Sequence, residues 1–182
     1  MNYFKKKELK VILWSFGSEG KTTLLYRFLK KMNDFQTIIP TVGCNIETIY
    51  FNGINITFWD IGGAYKIKEL RNYYLPSSDA IIFLIDSSES LEINNNYIFK
   101  NNFEEFNKCI KLIEDKPFLI AITKIDIRKT STLDIINFFQ LGNLFKRKKK
   151  FGIIECSSFS SQGIKEILYW LSSITIINTN KK

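Results

Sequence analysis

Gly17-Ser18-Glu19-Gly20-Lys21-Thr22-Thr23 follows the apolar run Val11-Ile12-Leu13-Trp14 and precedes a helical pattern that opens at Leu24. Strand, glycine-bearing turn and helix in that order make a loop suited to a phosphate chain. Glycines at 17 and 20 let the backbone turn its N–H groups inward, past Ser18, Glu19 and Thr23. Lys21 supplies a point charge for the terminal phosphates, and Thr22 a hydroxyl for Mg²⁺. The full spacing, G-x-x-x-x-G-K-[ST], asks for a glycine at position 15, and Ser15 stands there instead.

Outward from the loop, strand-like runs recur over 10–16, 46–51, 54–59, 80–86, 118–123 and 152–156. Helical patterns over 21–31, 97–113, 133–139 and 163–174 lie between most of them. That alternation predicts an α/β fold with a largely parallel sheet. The exception is Asn52-Gly53, which joins two short runs and predicts a tight antiparallel hairpin, so one edge strand runs against the rest.

Composition sets the outer bounds. At 182 residues, 45% hydrophobic and 24% charged, the chain reads as one domain over 1–182, with a short basic arm at 1–8 and a tail at 175–182. The excess of 26 Lys and Arg over 18 Asp and Glu gives +8, which favours acidic partners. No stacking platform accompanies the basic clusters, so nucleic acid is not expected among them. Cys44, Cys109 and Cys156 lack metal-ligand spacing and the chain has no histidine, which argues against zinc and disulfide frameworks and for a cytoplasmic protein. No run is long and apolar enough for a signal peptide or a membrane span. Asn2 excludes N-myristoylation, and the C-terminal Asn180-Lys181-Lys182 has no cysteine to prenylate.

A phosphate loop alone leaves ATPases, kinases and GTPases open. Thr123-Lys124-Ile125-Asp126 narrows the choice, because it follows a buried strand where open α/β sheets form their ligand crevice. A carboxylate at Asp126 accepts from both N1–H and the 2-amino group of guanine, and adenine has neither donor on that edge. A buried Asp126 without those donors would be penalised by roughly 1 to 3 kcal/mol or more. The stem of Lys124 can cover the base. In Trp59-Asp60-Ile61-Gly62-Gly63, Asp60 is placed to hold Mg²⁺ through a water, and the Gly63 N–H to meet a γ-phosphate. Ile39-Pro40-Thr41-Val42-Gly43 adds a second hydroxyl, Thr41. A segment that meets the metal only with a γ-phosphate present is an order-to-disorder switch.

These pieces, in this order over 9–174, resemble the ADP-ribosylation-factor family of small GTP-binding proteins, in particular its Arf-like branch. The specific parts are Ile39-Pro40-Thr41-Val42-Gly43 with Asn45-Ile46-Glu47-Thr48, the tryptophan before Asp60-Ile61-Gly62-Gly63, and Lys66-Ile67 with Tyr74 beyond. Cys156-Ser157-Ser158 looks like the family's last guanine-contact loop, with the Ser158 N–H donating to guanine O6. The resemblance implies a P-loop small-GTPase fold: a six-stranded, mostly parallel sheet with one antiparallel edge strand and about five helices. It implies GTP or GDP with Mg²⁺ as cofactors, exchange-factor and effector proteins as partners, and a monomeric switch.

The departures from the family matter as much. Glutamine, which orients the attacking water in most members, is replaced by Ala64, so no intact catalytic residue is expected and hydrolysis should be very slow. Tyr65 or a residue inserted by a partner is the alternative. Ser15 threatens to strain the loop, and Thr123 stands where many members have asparagine, removing an amide that ties the base to the phosphate loop. Where the family usually carries a lipidated amphipathic helix, only about eight residues precede Leu9, and so short a helix is expected to be marginal in water. Tyr3 and Phe4 beside Lys5-Lys6-Lys7 then allow at most weak peripheral contact with an anionic membrane, and a solvated arm is the plainer expectation. Lys146-Arg147-Lys148-Lys149-Lys150 reads as a solvated loop before the last strand, with lipid or an acidic partner as the alternative.

Strand alternation puts Ile54, Ile56 and Phe58 on the core face and Asn55, Thr57 and Trp59 on the other. The family's effector-reading aromatic trio falls on Cys44, Trp59 and Tyr74, the first of which is not aromatic. Burial of Trp59 by its neighbours is the alternative. Two functions therefore stand: an Arf-like guanine-nucleotide switch with little hydrolysis, or a pseudo-GTPase scaffold that holds one nucleotide constantly or none.

Overall fold

A computed structural model describes residues 3–5, 8–30, 44–61, 73–91, 97–113, 115–147 and 150–178. In chain order the strands are β1 Tyr3–Lys5, β2 Glu8–Trp14, β3 Cys44–Phe51, β4 Ile54–Ile61, β5 Ala80–Asp86, β6 Phe118–Thr123, β7 Phe151–Glu155 and β8 Ile176–Asn178. Five helices lie among the described residues: α1 Lys21–Phe28, α2 Tyr97–Leu112, α3 Thr132–Phe138, α4 Gly142–Arg147 and α5 Ile164–Ser173. The main sheet has the order β3-β4-β2-β5-β6-β7, parallel throughout except for β3 at the edge. This is the expected six-stranded architecture.

Sequence pattern accounts for the layers. Along β2, Leu9, Val11 and Leu13 join one core cluster while Ile12 and Trp14 join another, and β5 divides in the same way, Ile82 and Leu84 against Ile81, Phe83 and Ile85. Both faces of the sheet are therefore covered, which is why its central strands are apolar almost without interruption. Leu24, Leu25 and Phe28 of α1, with Ile164, Ile167 and Leu171 of α5, cover the first face; Phe99 and Phe106 of α2 and Ile135 of α3 cover the second. Between β3 and β4, Asn52 (φ 49°) and Gly53 (φ 80°) close the hairpin in the left-handed region, as the dipeptide predicts.

Three features differ from the expectations. Tyr3–Lys5 was expected as a solvated arm, yet its backbone pairs antiparallel with Ile176–Asn178 in a separate two-stranded sheet. Lys146 and Arg147 are the last turn of α4 rather than loop, while Lys150 is exposed and donates from Nζ to the Ile174 carbonyl at 2.9 Å. Trp59, assigned by alternation to the solvent face, is only 7% exposed and belongs to the second core cluster. The faces alternate along the whole strand, Ile54, Ile56 and Phe58 toward the first cluster and Trp59 and Ile61 toward the second, but past Thr57 the second face is covered as well and every residue of 58–61 is buried. No helix among the described residues is long and apolar enough to cross a membrane.

Candidate functional site

The loop Ser15–Gly20 leaves the carboxyl end of β2, where the sheet order reverses between β4 and β5, the place open α/β sheets use for ligands. It runs into α1 through Gly20, which caps that helix at φ 92°. Ser18 is exposed, Lys21 buried, and Gly17, Thr22 and Thr23 half-buried.

Ser15 fits without backbone strain, since it is not among the described residues at positive φ. Its side chain is wholly buried. Ser15 Oγ accepts from Lys21 Nζ at 2.6 Å, and the same ammonium donates to the Gly17 carbonyl at 2.9 Å. The hydroxymethyl group that threatened the loop thus serves as an acceptor for the loop's own cation.

Glu19 is 3% exposed and its carboxylate is fully engaged. Oε2 accepts from the Gly17 N–H at 2.7 Å, and Oε1 from Asn102 Nδ2 of α2 at 2.9 Å. Asn102 Oδ1 also accepts from the Phe16 N–H at 3.3 Å. Helix α2 therefore grips the phosphate loop through one buried side chain, Asn102, which bonds both the Glu19 carboxylate and the Phe16 N–H. Sequence reading gave Glu19 only a backbone role, and no motif marks Asn102.

Thr22 Oγ1 donates to Asp60 Oδ2, so two of the three side chains assigned to the metal meet directly. Asp60 is completely buried at the end of β4. A hydroxyl against a carboxylate is a hard-oxygen pair of the kind Mg²⁺ takes. Thr41, Gly63 and Ala64 lie outside the described residues.

The end of the site where the sequence places a base is built by the loops after β6 and β7. A cavity of about 180 Å³ brings Gly20 and Thr23 together with Thr123, Lys124, Asp126 and Ser158. Thr123 Oγ1 donates to the Glu19 carbonyl at 2.9 Å, so the tie to the phosphate loop expected to be lost with asparagine is made by a hydroxyl instead. Lys124 sits at φ 56°, and its Nζ pairs with Asp86 Oδ2 at 2.5 Å. Asp126 stands on a 3-10 turn, Ile125–Ile127, and is exposed rather than buried, because that turn forms the rim of the cavity. Ser157 is wholly buried: its N–H donates to the Gln162 carbonyl at 3.0 Å and its Oγ accepts from the Ser160 N–H at 3.0 Å, which folds the loop.

Of the three suggested effector residues, Cys44 is half-buried, and its thiol pKa is raised by burial and by the nearby Asp60 carboxylate. Trp59 packs on Tyr74 with ring centroids 4.9 Å apart, and Lys10 Nζ lies 5.8 Å from the indole centroid. Tyr74 in turn meets Tyr73, which is 76% exposed.

Sheet order, a lysine-bearing glycine loop at the end of β2, and an Asp-bearing turn beside it define a nucleotide-binding domain of the small-GTPase class. The profile described as the ADP-ribosylation factor family matches residues 1–175. Two relatives in Dictyostelium discoideum, ADP-ribosylation factor J and ADP-ribosylation factor K, are 31% and 30% identical over 175 residues, in each case 92% of this chain and 86% of the relative. The chain belongs to the ADP-ribosylation factor family, whose members are GTPases that bind GTP and GDP.

Proposed function

We propose that this chain is a cytoplasmic, monomeric guanine-nucleotide switch that holds GTP or GDP with Mg²⁺, exchanges them with the help of an exchange factor, and recruits effector proteins in its GTP form. The observation that carries this reading is the convergence of Lys21, the Thr22–Asp60 pair and the Asp126 turn on one end of the sheet. Lys21 neutralises β and γ oxygens. Thr22 and Thr41 ligate the metal, Asp60 holds it through a water, and the Gly63 N–H senses the γ-phosphate. Asp126 and the Ser158 N–H select guanine, and Lys124 covers the base from its salt bridge with Asp86. Cys44, Trp59 and Tyr74 form the partner-facing area, with Trp59 backing the surface rather than protruding from it.

With Ala64 at the water-positioning place, the chain binds GTP and hydrolyses it slowly. The scaffold alternative rested chiefly on Ser15, Thr123 and Ala64. Ser15 now has a bonded role inside the loop and Thr123 ties the loop to the end of β6, which favours a working nucleotide site. Competition against labelled GDP tests the assignment. GTP should displace it far better than ATP, and Asp126→Asn should shift preference toward xanthine nucleotides. Equal displacement by ATP and GTP would sink the guanine assignment.

A further inference from the structure

Phe159 is the first residue beyond the segment that resembles the family's guanine loop, and it is 71% exposed. A single exposed aromatic calls for no explanation by itself. This one, however, lines the same cavity as Lys124, Asp126 and Ser158. Ile127, 60% exposed, lines it as well. A purine that presents its edge to Asp126 has two apolar faces to cover, and the Lys124 stem serves one of them.

The backbone under the ring is fixed from an unexpected direction. Arg27, on α1, donates from Nε to the Ser158 carbonyl at 2.5 Å and from Nη2 to the Phe159 carbonyl at 3.1 Å. The fork of a guanidinium spans two consecutive carbonyls, which an ammonium cannot match. Because α1 also opens with Lys21 and Thr22, one short helix carries the phosphate-binding side chains at its start and the anchor of the base loop at its end. A ring mounted on backbone held in this way loses little conformational freedom when a base stacks on it.

We infer that Phe159 contacts the nucleotide base, packing on the purine, and that Arg27 is the positioning residue that holds Phe159 and the Ser158 N–H in place. This rests on the guanine-nucleotide reading above and extends it to two residues outside the motif.

The test uses the full chain loaded with tritium-labelled GDP, following release into excess unlabelled GDP. Phe159→Ala should speed release roughly five- to a hundredfold, the range for removing one ring from under one base. Phe159→Tyr should stay within about twofold of wild type, because the aromatic face remains. Arg27→Ala should also speed release, and adding it to Phe159→Ala should cost less than the two single effects combined, since Arg27 acts through that loop. Displacement of labelled GDP by inorganic pyrophosphate should be eased by Phe159→Ala, whereas direct pyrophosphate binding to the nucleotide-free chain should be unchanged. Asp126→Ala is the reference. Fast release from Asp126→Ala with wild-type release from Phe159→Ala would overturn the inference while leaving the guanine assignment intact. No uptake of labelled GDP by the wild-type chain would instead bring down the guanine assignment, and the inference with it.

Discussion

Lys21 Nζ finds two acceptors in its own loop, and one of them, Ser15 Oγ, exists only because a serine replaces the expected glycine. A charge-assisted bond at a fully buried site contributes about 1.5 to 3 kcal/mol. Ser15→Ala should lower the stability of the nucleotide-free chain by that order in urea unfolding. An unchanged midpoint would mean that the other neighbours of Lys21 hold it alone. Cys156 gives a second check at this scale: burial pushes its thiol pKa up to about 12. At pH 8 roughly one molecule in 10⁴ then carries the thiolate, so alkylation of Cys156 should wait for unfolding. Rapid labelling in the folded state would contradict its place in the core. Neither residue's role was legible beforehand. Ser15 read as a defect because sequence shows the missing glycine but not the lysine that folds back on the hydroxyl.

At the scale of elements, β5 and β6 were legible because a strand covered on both faces is a nearly unbroken apolar run, and β4 because its alternation follows the Asn52-Gly53 turn. Helix α4 was not, since six residues opening on Gly142 carry no readable period. Strands β1 and β8 have three residues each, too few for an alternation to register. The loops after β6 and β7, assigned to the base on the proposed reading, depend on contacts between elements. Glu155, at the end of β7, accepts from Thr132 Oγ1 of α3 and pairs with Arg128 Nη2 at 3.1 Å, which braces the segment just after Asp126. The Arg128 hydrogen bond, followed by that of Thr132, holds the Glu155 carboxyl below its ordinary value of 4.5. A lowered pKa means that this contribution is present above the ordinary carboxylate range and fades as pH falls through the lower folded-state value. Glu155→Gln should therefore be less stable than wild type near neutral pH, with the gap closing below about pH 4; a gap independent of pH would rule out the ion pair as its source. Gly163 gives a larger effect. At φ 74° it starts α5, and a Cβ there would lie 1.9 Å from the Glu155 carbonyl oxygen. Gly163→Ala should cost about 2 to 4 kcal/mol in denaturant unfolding, from left-handed strain plus a backbone clash. A cost below about 1 kcal/mol would show that the turn relaxes freely.

Across the whole molecule, the site collects what distant parts of the chain supply: α1 brings Lys21 and Arg27, β4 brings Asp60, α2 grips Glu19, and the loops after β6 and β7 bring Asp126 and Ser158. The pairing of Tyr3–Lys5 with Ile176–Asn178 ties the two flanks of the fold together, and residues extended in that pair cannot form a membrane-lying helix at the same time. Whether the assembled site works as a cycling switch turns on Ala64. A methyl group cannot orient water, but it removes nothing that Lys21, Thr41 or the Gly63 N–H provides to the γ-phosphate, so on the proposed reading binding and hydrolysis are separable. Single-turnover hydrolysis by wild type should be very slow while GTP stays well held. Ala64→Gln should raise the hydrolysis rate and leave GTP affinity nearly unchanged, because positioning is restored in a site that is otherwise complete. Wild-type hydrolysis as fast as that of glutamine-bearing relatives would mean that another group, such as Tyr65, positions the water. A chain that retains no GTP, with or without the glutamine, would favour the scaffold, since the bonded Ser15 and Thr123 would then be holding together a loop that takes no ligand.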